Sequence, residues 1–158
     1  MYAYTLVHVI LSLIGIVSGL IVLFGLIRSD PMNGWTLLFF VTTVATSVTG
    51  FGFPFHGVTP AIIVGILSLI VLALAIAARY TFRLASAWRW IYVVGAVVAL
   101  YFNCFVLVVQ SFLHLRVLHA LAPKGSEAPF AIAQAIVFVL FVWGGILAVK
   151  RFHPTAAA

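Results

Sequence analysis

His8, His56, His114 and His119 are the residues of this chain whose type most suggests chemistry, because each sits near the end of a long apolar segment. Imidazole is the commonest nitrogen ligand for zinc, copper and iron. A pair on facing helices is also how a membrane bundle holds haem b, and His8 with His114 is the first pair to consider, with His56 or His119 as alternates. Other features weigh against a ligand set. No HxxxH, HExxH or CxxC pattern accompanies the histidines, and His114 and His119 are five apart, which points them in different directions on a regular helix. Imidazole also suits a bilayer boundary on its own account, with one edge apolar and the other wet. The expectation is no bound cofactor, with haem b or copper on these histidines as the alternative.

Ser12, Asn103, Gln110 and Gln134 form a second set, expected in the interior of a helix bundle. Asn103, Leu107, Gln110 and His114 follow one another at steps of four, three and four, so they share one helix face. In lipid such a face must find partners, and a buried amide there fixes the register of packing, contributing about 0.6–2 kcal/mol. Ser12, Thr49 or Gln134 are the expected partners of the amides. Catalysis has little to work with: the only acids, Asp30 and Glu127, fall in separate loops, no nucleophile elbow is present, and Cys104 has no histidine at helical spacing. No embedded carboxylate, lysine or arginine offers itself for ion-coupled transport, although a homo-oligomeric channel lined by Asn103 and Gln110 stays open. The balance points away from an enzyme. It favours a protein that acts by helix association, as an oligomeric or accessory component of a membrane assembly.

Composition says what must position these residues. With 66% hydrophobic and 6% charged residues and a mean hydropathy of +1.33, the chain lies far from soluble domains, where about 25% charge is usual. It reads as an integral membrane protein whose 158 residues form one helical domain, with the bilayer as its main partner. The net charge of +6 would suggest nucleic acid in a soluble protein; here the basic residues fall between apolar runs, where the positive-inside rule accounts for them, and no nucleic-acid partner is expected. Cys104 is mid-span and has no second cysteine to pair with. The first apolar run has no basic n-region and no cleavage site, so it is read as a retained span.

Five spans are expected, at residues 5–27, 35–53, 61–78, 90–115 and 130–149, in an all-α polytopic bundle. In the first, His8, Ser12, Gly15 and Gly19 fall on one stripe that lets a neighbouring helix approach closely. Asp30-Pro31 and Asn33-Gly34 predict a tight hairpin, after which the second span opens at Trp35 and carries Thr42, Thr43, Thr46, Ser47 and Thr49 as packing hydroxyls. Thr59-Pro60 predicts a capped start for the third span, with Gly65, Ser68, Leu72 and Ala75 as its packing stripe. The basic segment 79–89 is expected on the membrane surface, against anionic lipid. The fourth span has no charge between Arg89 and Arg116, an interval of about 40 Å as a helix. A loop marked by Pro123, Gly125 and Pro129 then leads, through Ser126 or Glu127, into a fifth span that carries Gln134 and the Gly144-Gly145 pair.

With the basic 79–89 loop inside, Arg28, Arg79, Arg83, Arg89, Lys150 and Arg151 are cytoplasmic and only Arg116 and Lys124 are outside. That distribution predicts the N-terminus out and the C-terminus in. It also places His8, His56, His114, His119, Gln110 and Gln134 together in the outer half. At FGFPFHGVTP, ASAWRWIYV, LYFNCFVLVVQSF and LHALAPKGSEAPFAIAQ the chain resembles small multi-pass inner-membrane proteins of bacteria, over most of its length from the first span to Gln134. The resemblance implies a bacterial cytoplasmic membrane and brings no activity, cofactor or site residue with it.

Overall fold

The computed structural model describes residues 2–54, 57 and 59–155. Among these, every regular element is helical: α1 (Tyr2–Ile27), α2 (Asn33–Gly50), α3 (Pro60–Ile76) continued by a π-helical turn (Ala77–Thr81), α4 (Trp88–His114), a short α5 (Arg116–Leu121) and α6 (Ala128–Arg151). Four helices are long and apolar enough to cross a membrane: α1, α3 with its π turn, α4 and α6. The remaining expected span, the second, is α2, which has 18 residues, six of them Ser or Thr once Thr36 is counted. Its rise of about 27 Å is close to the ~30 Å hydrocarbon thickness, but its hydroxyls take it out of the apolar class.

The turns follow from local chemistry. α1 ends in a Schellman arrangement, in which the Asp30 N–H donates to the Gly25 carbonyl (2.8 Å), the Ser29 N–H to that of Leu26 (3.2 Å), and Ser29 takes the left-handed conformation at φ 61°. Asp30 Oδ1 then accepts from the Met32 N–H at 3.0 Å, and the reversal is complete by Met32. Asn33 and Gly34, expected in the turn, therefore form the first turn of α2, and the helix runs over Asn33–Gly50 rather than 35–53. Thr59 caps α3 as expected, its side chain accepting from the Ile62 N–H with Pro60 in the first turn. The stretch after the fourth span is less irregular than expected. Leu115 leaves helical geometry at ψ 116° and the chain then makes α5 before the Pro123 loop.

Each long helix runs opposite to the one before it, so their ends gather into two groups. One group holds the α1–α2 hairpin, the segment from Ala77 to Trp88 and the end of α6, with Arg28, Arg79, Arg83, Arg89, Lys150 and Arg151; it is called the basic end below. The other holds His8, the end of α2, the start of α3 and the α4–α5 turn with His114 and His119, and is called the histidine end. The hydrophobic core belongs to the basic half: Val22, Leu26, Phe39, Phe40, Leu72, Ala75, Tyr92, Val93, Ala96, Leu100, Ala148 and Phe152 are buried together there. Helices approach closely at Gly19, where a Cβ would lie 2.5 Å from Leu100 Cδ1 and 2.8 Å from the Phe39 ring, and at Gly95, where it would lie 2.9 Å from Ala75 Cβ.

Side chains of the basic segment close this end. Arg89 Nη1 donates to the Val149 (3.1 Å) and Phe152 (2.7 Å) carbonyls, satisfying the C-terminal turn of α6. Arg79 departs from its expected place on the lipid surface. It is 8% exposed, donates from Nη2 to the Pro31 carbonyl (2.9 Å) and to Asn33 Oδ1 (2.5 Å), and lies 5.1 Å from the centre of the Tyr92 ring. The hairpin offers acceptors that no backbone donor reaches, so Nη2 is satisfied without a carboxylate, while Nη1 is buried with no hydrogen-bond partner among the described residues and the cation rests against the Tyr92 ring.

Candidate functional site

The histidine half is built differently. Below, α4 is buried at Tyr92, Val93, Gly95–Val97, Ala99 and Leu100; from Tyr101 to its end only Phe112 is buried. The helix has drawn away from α1, α2 and α3, leaving a cavity of about 690 Å³, within the ~300–1,000 Å³ range of small-molecule sites. Its floor is the crossing of α1, α2 and α4, where a Cβ on Gly15 would meet Thr43 Oγ1 at 3.2 Å and Asn103 Nδ2 at 3.4 Å. Asn103 Nδ2 donates to Thr43 Oγ1 (3.2 Å), a partner not among those expected from the sequence.

Above this floor the polar faces read from the sequence converge. His8 and Ser12 come from α1, Thr46 and Ser47 from α2, Ser68 from α3, and Asn103, Gln110 and His114 from α4; the remaining wall is largely aliphatic and aromatic. No charged side chain lines the cavity among the described residues. Thr46 is 9% exposed and its Oγ1 has no hydrogen-bond partner, so a buried hydroxyl is unsatisfied at the cavity wall. Ser47 and Ser68 face each other across α2 and α3 at 3.4 Å. The hydroxyls of α2 and Ser68 are the members of the site that the sequence reading assigned to packing alone.

His8 Nδ1 lies 2.8 Å from Thr49 Oγ1, which also lies 2.7 Å from the Ala45 carbonyl. His114 Nδ1 lies 3.1 Å from the Gln110 carbonyl, which only accepts, so the neutral His114 ring carries its proton on Nδ1. Neither ring has a hydrogen-bond partner at Nε2 among the described residues. His8 is further held edge-on to Phe53, with ring centres 5.1 Å apart.

Other expected members lie elsewhere. His119 turns back toward the Phe112 carbonyl (3.3 Å) and is not in the cavity wall; His56 lies outside the described residues. Gln134 is on α6 behind α4, where Nε2 donates to the Phe105 carbonyl (3.1 Å) and Oε1 is buried without a partner. Phe112 and Phe130 meet edge-to-face at 5.4 Å beside it, so α6 braces the far side of α4. Cys104 is a half-buried free thiol. Among the described residues no three of His, Cys, Asp and Glu gather closely enough to hold a metal ion. Compared with known proteins, the chain matches no family model, no curated protein and no solved structure.

Proposed function

We propose that this chain is a five-span, non-enzymatic protein of the bacterial cytoplasmic membrane, N-terminus out and C-terminus in, that acts by binding a lipid-soluble small molecule in its outer half. The observation that carries the reading is the cavity: uncharged polar side chains from four helices meet over an apolar wall, with the Thr46 hydroxyl buried and unpartnered at its edge. The antiparallel path of α2 beside α1 and α3 supports counting it as a span, which makes five, and the six basic residues at one end support the orientation. An outer-face reporter fused at the C-terminus is inactive if that orientation is right. Gly15 and Gly19, whose stripe lets a neighbouring helix approach closely, are occupied within the bundle. Self-association or membership of a larger membrane assembly then rests on other surfaces and is secondary to the ligand.

A second reading has its own observation. His8 and His114 line the same cavity from different helices with Nε2 unpartnered, which suits axial ligation of haem b or binding of copper. One preparation tests both. Purified in native lipid, the wild-type protein carries a near-stoichiometric small molecule by mass spectrometry, and Ser12→Phe, which fills the cavity, loses it. Equal small-molecule content in the two proteins overturns the ligand site. A Soret band or stoichiometric copper in the same sample selects the second reading, and the absence of both removes it.

A further inference from the structure

We propose that the groove between α4 and α6 at the basic end holds one acyl chain of an anionic glycerophospholipid, whose phosphate meets Lys150. The groove is separate from the histidine-end cavity, which no residue of α6 lines, so either assignment can fail without the other. α4 begins and α6 ends at the basic end, and between them lies a space of about 380 Å³ whose edges at Val94, Val142 and Ile146 are exposed. Its wall is aliphatic and aromatic, and apart from the Tyr101 hydroxyl Lys150 brings the only polar side chain. Gly145 keeps the floor open, since a Cβ there would already lie 3.3 Å from Val97 Cγ1.

Length and width choose the body of the occupant. From Phe138 to Lys150 the groove follows α6 for about 18 Å at ~1.5 Å per residue, close to the ~15 Å hydrocarbon depth of one leaflet. Its volume of about 380 Å³ over that length gives a mean section of about 21 Å², enough for one extended hydrocarbon chain and far short of a helix about 10 Å across. The mouth chooses the head. Lys150 is exposed with no hydrogen bond or ion pair among the described residues, so its stem can lie along the wall while the ammonium reaches the headgroup level. Arg89 is tied to the same mouth by its Nη1 bonds to the Val149 and Phe152 carbonyls, Val149 being part of the groove wall. Arg151 is exposed beside them, and Asp30, the one acid at this end, belongs to the α1–α2 hairpin, where it accepts from the Met32 N–H. A basic mouth on an apolar slot between membrane helices complements a phosphate carried on an acyl chain.

The test is native mass spectrometry of the full-length protein released from micelles containing equal amounts of phosphatidylglycerol and phosphatidylcholine with the same chains. The expected result is one retained lipid, with phosphatidylglycerol preferred about fivefold, the effect of one basic residue at the membrane surface. Lys150→Gln brings the preference close to one, while Lys124→Gln, the same charge change at the histidine end, leaves it intact. Gly145→Leu, which fills the groove, loses the retained lipid. Equal retention of the two lipids by the wild type overturns the proposal, as does a Lys150→Gln protein that behaves like Lys124→Gln. Undiminished phosphatidylglycerol in a folded Gly145→Leu protein overturns the groove as the place of the chain, and a wild-type dimer that Gly145→Leu dissociates gives the groove to a second copy instead. Lys150 is an exposed side chain whose replacement keeps the fold, so the comparison with Lys124→Gln decides even where Gly145→Leu does not fold.

Discussion

The basic half and the histidine half of this bundle are made from the same helices and solve different problems. In the basic half, α4 presents Tyr92, Val93, Ala96 and Leu100 to Phe39, Phe40, Leu72 and Ala75, and glycines at 19 and 95 bring the helices to contact distance. Its arginines bind backbone carbonyls, Arg79 that of the hairpin and Arg89 those at the end of α6, although Arg79 Nη1 and the Tyr92 hydroxyl are buried without a partner among the described residues. In the histidine half the same α4 stands off, its polar face looks into a cavity of about 690 Å³, and no comparable apolar contact fills the space. In lipid, where association rests on packing and hydrogen bonding rather than on a hydrophobic driving force, a chain keeps such a region only if another region holds the fold. One half carries the stability, and the other is free to be incomplete.

Substitutions sharpen this contrast, and the largest effect is expected at Arg79. Arg79→Gln removes two charge-assisted hydrogen bonds from a buried site and is expected to cost about 3 kcal/mol in a detergent unfolding titration, at ~1.5 kcal/mol each. His114→Phe, the polar change at the other end, leaves that midpoint unmoved. A tolerated Arg79→Gln would mean that the basic end is not the clamp. A smaller effect separates two glycines given the same substitution. Gly19→Ala forces a Cβ against Leu100 and Phe39 and is expected to lose about 1–2 kcal/mol, whereas at Gly50 the nearest atom is His8 Cε1 at 3.7 Å and Ala is neutral or slightly stabilising. Equal melting temperatures for the two variants would break the comparison.

The smallest effect concerns the loop that leads into α6. The Lys124 and Ser126 N–H groups donate to the Glu127 carboxylate at 3.0 Å each, which holds its pKa below the ordinary value. A folded-state pKa below the unfolded one adds stability above the ordinary carboxylate range, and that stability is lost as the pH falls through the lowered value. Thermal scans of wild type and Glu127→Gln should therefore differ slightly at neutral pH, with the wild type ahead, and converge in acid. A gap that widens in acid would contradict the assignment.

What was legible in the sequence was what depends on spacing along one helix. His8 and Ser12 of the α1 stripe and the face Asn103, Gln110 and His114 do meet around one space, while Gly15 and Gly19 of that stripe pack against neighbouring helices, because residues three and four apart must share a face whatever lies opposite. Thr59-Pro60 was legible for a similar reason, since a cap is a local structure. Partner choice was not. Nothing local said that Asn103 would find Thr43 rather than Thr49, or that Arg79 would turn from lipid into the hairpin, because both depend on which helices cross and how closely. The cavity itself was hidden for the same reason: it is set by where α4 stops touching its neighbours.

The brace that α6 supplies has a consequence in time. All the side chains around the cavity come from residues up to Leu115, yet the back of α4 is held by Gln134 and Phe130, which leave the ribosome later. Until that last helix docks, the upper part of α4 has the void on one side and only lipid on the other. The width of the pocket is thus decided after its lining has been made, by a helix that contributes nothing to that lining.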